Sequence, residues 1–211
     1  AVCPGLTVPP RPSPGAFGQY GKRTQDWDRR YQAIHKDLRA RRSRVSLLAR
    51  ILIDAGAEQD LEDSAGWTAL MYALACGNVT TARVLLRSGA DPTKISADGL
   101  STLLVVGCFA GAHKGHAALA KLLVCEGAPV DHACQGGLTA LMAYARIGAE
   151  SSVRAILDAG ASPNATDVHG VSALMEAVTS GSQRVVRLLL KRRADSRART
   201  ALGFTALTLA R

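Results

Sequence analysis

An all-α solenoid, built from stacked helix–turn–helix units with protruding loops or β-hairpins, is the fold class this 211-residue chain predicts. Three observations predict it. The segment Gly66-Trp67-Thr68-Ala69-Leu70-Met71 returns in related form at Gly99, Gly137, Gly170 and Gly203, with spacings of 33, 38, 33 and 33 residues. A second marker, Gly56-Ala57, returns at Gly89, Gly127 and Gly160, with Arg193-Ala194 in the fifth place, in the same steps. The composition is 47% apolar but only 4% aromatic, as expected of small units made of Ala, Leu and Gly. Such a unit cannot bury its own apolar face, and stacking on its neighbours completes the core.

The elements follow in chain order. Residues 1–22, with Pro4, Pro9, Pro10, Pro12 and Pro14 among glycines, read as a disordered or polyproline-like tail. Residues 23–44 read as a basic amphipathic capping helix. Trp27, Tyr31, Ile34 and Leu38 lie at helical spacing on one face, and Arg29, Arg30, Lys36, Arg39 and Arg41 on the other. The repeat array covers 45–211: a partial repeat at 45–62, full repeats at 63–95, 96–133, 134–166 and 167–199, and a truncated repeat at 200–211. Within a unit, Thr or Ser follows the turn glycine where its hydroxyl can cap a helix N-terminus. A short helix such as 69–76 then ends at Gly77, whose counterparts are Gly148 and Gly181. A second, amphipathic helix such as 79–86 follows, and Gly89 stands where its C-terminus needs a left-handed residue. Residues 110–114 are an insertion that widens one inter-helix turn and should project from the surface.

Net charge is +9, which invites a nucleic-acid or acidic-membrane reading until it is divided by region. Residues 1–50 hold 11 Lys/Arg against 3 Asp/Glu, residues 51–183 hold 7 against 13, and residues 184–211 hold 8 against 1. The middle of the array is acidic and the basic character belongs to the ends. Cys3, Cys76, Cys108, Cys125 and Cys134 are odd in number and have no Cys-x-x-Cys spacing, which predicts reduced thiols and an intracellular location, cytoplasmic rather than nuclear. The longest apolar stretch, 100–112, is too short and too interrupted for a transmembrane segment.

The recurring Gly-x-Thr/Ser-Ala-Leu-Met and Gly-Ala markers resemble the ankyrin-repeat family over about residues 45–211. The resemblance implies a non-catalytic scaffold that binds a protein partner through a concave face made of loops and first helices, without cofactor or other ligand. Carried onto this sequence, the contact positions are Trp67, Tyr72 and Cys76, then Asp98, Leu100 and Phe109. They continue as Leu138, Arg146 and Ile147, then His169 and Val171, then Phe204. The residues after the turn glycines form a row, Trp67, Leu100, Leu138, Val171 and Phe204, which either faces a partner as one apolar stripe or folds down to stiffen the loops.

Departures from the family pattern mark places to inspect. Ala stands for the usual Pro and mostly Met for the usual His, as in Thr68-Ala69-Leu70-Met71, which removes the histidine that bonds between repeats. Tyr144 occupies a position that is normally small and calls for local repacking. Arg193 replaces a glycine expected at positive φ. The chain starts at Ala1 rather than Met, and its last unit stops inside its first helix at Arg211, which reads as part of a larger protein.

Enzyme chemistry finds no footing. The glycines belong to the repeat rather than to a phosphate-cradling loop. His113-x-x-His116 with Cys108 is the one constellation resembling a metal site, and it lacks a completing ligand. No metal is expected. The alternatives are nucleic-acid or acidic-membrane binding through residues 22–44, whose basic run at 39–44 is read first as the solvated end of the capping helix, and a regulatory module for an enzyme or channel domain outside this chain.

Overall fold

The computed structural model describes residues 45–109 and 115–210. The expected tail, the capping helix and the 110–114 insertion lie outside the described residues. Ten helices follow along the described chain: α1 (residues 45–54), α2 (Ala69–Ala75), α3 (Val79–Arg87), α4 (Thr102–Phe109), α5 (His116–Cys125), α6 (Ala140–Arg146), α7 (Glu150–Asp158), α8 (Ala173–Thr179), α9 (Gln183–Lys191) and α10 (Ala206–Leu209). They stack in two rows. The inner row runs α2, α4, α6, α8, α10, and the outer row runs α3, α5, α7, α9, each helix packing on the next in its row and on its partner across the unit.

The expected caps are present. Thr68, Thr139 and Ser172 accept hydrogen bonds from the backbone N–H of Met71, Met142 and Met175 at 3.3, 3.4 and 3.4 Å. Each satisfies one of the donors a helix start leaves unpaired. The methionines that replace the family's histidine are fully buried, so they add apolar core instead of hydrogen bonds. Bonds between repeats come from the loops. Asp60, Asp131 and Asn164 each accept a backbone N–H one repeat further on, from Asp91, Ser162 and Asp195, at 2.7 to 2.9 Å.

The protruding segments carry less β-structure than the hairpin alternative allowed. Among the described residues they show isolated antiparallel bridges, Ile95 with Ser101, Ala133 with Thr139 and Thr166 with Ser172. Close stacking explains the glycine at the turn: a Cβ on Gly66 would stand 2.7 Å from the backbone nitrogen of Ala97, in addition to the positive φ of 69°.

Tyr144 is accommodated rather than expelled. Its side chain is fully buried, and Gly107 on α4 leaves the space it and Ala143 need, since a Cβ on Gly107 would lie 2.8 Å from the Ala143 Cβ. The Tyr144 hydroxyl has no hydrogen-bond partner among the described residues. Arg193 takes φ +63°, the one positive value among the described non-glycine residues, as its place in the repeat predicted.

Candidate protein-interaction surface

The inner helices and the loops before them place the candidate contact residues along one side of the stack, and the structure sorts them into distinct groups. Trp67 is 8% exposed, with its ring 5.2 Å from Tyr72 and 5.4 Å, edge-on, from Phe109 of the next repeat. Tyr72 is 39% exposed, and its hydroxyl donates to Asp63 Oδ2 at 2.6 Å. Phe109 and Cys76 are half-buried beside them in the helix ends. Three of the chain's nine aromatic residues therefore form one cluster bridging two repeats.

The second group is charged. Arg146 at the end of α6 donates through Nη2 and Nε to both carboxylate oxygens of Glu176 on α8, at 2.9 and 3.1 Å. Ile147, next to it, is exposed. The bidentate fork fixes the guanidinium. Glu176 was not among the residues singled out in the sequence. Its signal was available: opposite charges on consecutive inner helices, 30 residues apart.

The loop row does not present five equivalent side chains. Trp67 is buried, Leu100, Leu138 and Val171 are half-buried against the core, and Phe204 is 47% exposed. A continuous exposed stripe is thus not formed, and Trp67 acts as packing between repeats. Asp98 is half-buried. His169 is exposed, and its backbone links loops by accepting from the Ala201 N–H at 2.8 Å.

Cys76, Cys108, Cys125 and Cys134 are free thiols. Burial pushes the Cys108 thiol up to about 12, so it stays protonated and inert near neutral pH. Among the described residues no three His, Cys, Asp or Glu side chains converge as a metal site, and no helix is long and apolar enough to cross a membrane.

The family profile described as Ankyrin repeats (3 copies) matches residues 22–96 and 108–200. The chain belongs to the ankyrin-repeat family. The ankyrin match begins inside the basic segment, ahead of the resemblance visible from residue 45. Among curated proteins the chain is similar to "Ankyrin repeat, SAM and basic leucine zipper domain-containing protein 1". The armadillo (Dasypus novemcinctus) protein is 34% identical over 115 residues, covering 54% of this chain and 24% of that protein. The horse (Equus caballus) protein is 37% identical over 103 residues, covering 48% and 21%. The alignment thus spans less than a quarter of those relatives. Ankyrin repeats generally mediate protein–protein interaction, and the fold is typically non-catalytic.

Proposed function

We propose that this ankyrin array is a non-catalytic scaffold that binds a partner protein through its concave side, the inner helices and loops. The observation that carries the reading is the Trp67–Tyr72–Phe109 cluster, in which a buried tryptophan packs on a partly exposed tyrosine of its own repeat and on Phe109 of the next. Rigid aromatic anchors on a preformed surface are what protein interfaces use for affinity. Arg146, held by Glu176, and the exposed Ile147 continue the same side and supply a charged and an apolar contact.

The array acts as a module of a larger, cytoplasmic protein. The relatives' names, which join ankyrin repeats to SAM and basic leucine zipper domains, support the modular part of this reading.

Affinity capture of partners with the intact chain tests it. Tyr72→Ser and Ile147→Asp should each lower capture of the same partner by about tenfold or more, while Arg83→Ala on the exposed side of α3 should leave it intact. Equal capture by all three variants would contradict the reading.

A further inference from the structure

The tips of the last two loops carry large aliphatic side chains where the other repeats do not. Ala201 donates its N–H to the His169 carbonyl oxygen at 2.8 Å, which holds the last loop against the one before it. Val168 and Leu202, beside these two residues in the chain, are 66% and 83% exposed. In the repeat register, Val168 corresponds to Ser64, Ala97, Gln135 and Ala201, and Leu202 to Ala65, Asp98, Gly136 and His169. Those places are otherwise small or polar.

The surroundings of these tips are cationic. Arg193, Arg197 and Arg199 are exposed, and none is paired with a carboxylate among the described residues. Arg199 Nη1 donates to the Gly203 carbonyl oxygen at 3.2 Å, which brings its guanidinium to the last tip. The one acid of residues 184–211, Asp195, accepts the backbone N–H of Arg197 at 2.8 Å. Arg197 also stands in the register of Asp60, Asp131 and Asn164, the side chains that accept an N–H from a loop one repeat further on. A guanidinium has no acceptor, so this loop is not made to receive another loop in that way.

We propose that the last two loops dock on an anionic lipid surface, with Val168 and Leu202 entering the boundary between headgroups and acyl chains and Arg197 and Arg199 meeting the headgroup anions. Charge and shape together select this occupant. The arginines gain from an anion, and aliphatic side chains on a protruding tip gain from an apolar medium. A nucleic acid offers the first without the second. An anionic bilayer offers both over a broad area, and basic charge makes a small apolar insertion effective. The eight basic residues of 184–211, against one acid, add attraction at longer range. This contact does not rest on a protein partner at the inner helices, and either can hold without the other.

Co-sedimentation of the full chain with phosphatidylcholine vesicles, with and without phosphatidylserine, tests the proposal. Binding should require phosphatidylserine and weaken as salt rises. Arg197→Ser/Arg199→Ser should lower the partition coefficient by about tenfold or more, and Leu202→Ser by about fivefold or more. Both variants alter exposed side chains and should keep the wild-type circular dichroism. Absence of phosphatidylserine-dependent binding in the wild type would overturn the proposal. Binding that both variants retain would place it on other basic residues, such as those at 39–44, and equally overturn it. So would binding that the arginine variant loses and Leu202→Ser leaves unchanged, with single-stranded RNA competing it away, because that pattern marks a site for polyanions rather than for a bilayer.

Discussion

Arg193 holds a left-handed backbone at φ +63° that its repeat relatives give to glycine. A Cβ there crowds the carbonyl oxygen and costs about 1 kcal/mol, so Arg193→Gly should raise stability by about that amount in urea unfolding. Tyr144 offers a second single-residue test. Its ring fills the gap beside Gly107, but its buried hydroxyl lacks a partner, and burial raises its pKa further above the ordinary tyrosine value. Tyr144→Phe keeps the ring and removes the stranded oxygen, which should stabilise the fold by about 1 kcal/mol in the same measurement. Both positions were legible as departures from the repeat. The compensation at Gly107 was not, because it depends on which side chains meet across α4 and α6. Thiol reactivity separates exposed from partly buried cysteines in the same way: iodoacetamide at pH 8 should modify exposed Cys125 well before partly buried Cys108, read by peptide mass spectrometry.

At the level of the helix, period and caps were readable because they are local. Thr68, Thr139 and Ser172 stand at positions where the hydroxyl reaches its own N3 amide, whatever packs outside. Replacing any one by Ala should cost about 1 kcal/mol, measurable by chemical denaturation. The loop row was not readable. Trp67 and Phe204 occupy equivalent places in the motif, yet Trp67 has Phe109 and Tyr72 to pack on whereas Phe204 remains 47% exposed. Burial of these positions depends on the side chains that the adjacent repeat happens to supply, a non-local property. Trp67→Ala should therefore destabilise the array by roughly 3 kcal/mol, and its effect on binding would report folding rather than contact. Tyr72 is the sharper probe. It is partly exposed, and its ring is anchored by Trp67 and by the hydrogen bond to Asp63.

Across the whole molecule, two helical rows leave one long side of inner helices and loops on which an aromatic cluster and the Arg146–Glu176 pair are displayed. The charge of +9 says little about that side, because the acidic middle of the chain lies between basic ends. The proposed partner contact is on the inner-helix side. It is tested most directly by placing a photo-crosslinking residue singly at Tyr72, Ile147, Arg83 and Lys121 in the intact chain and mapping the adducts by mass spectrometry. Partner adducts are expected from positions 72 and 147 and none from 83 and 121 on the outer helices. Adducts from the outer positions alone would contradict it.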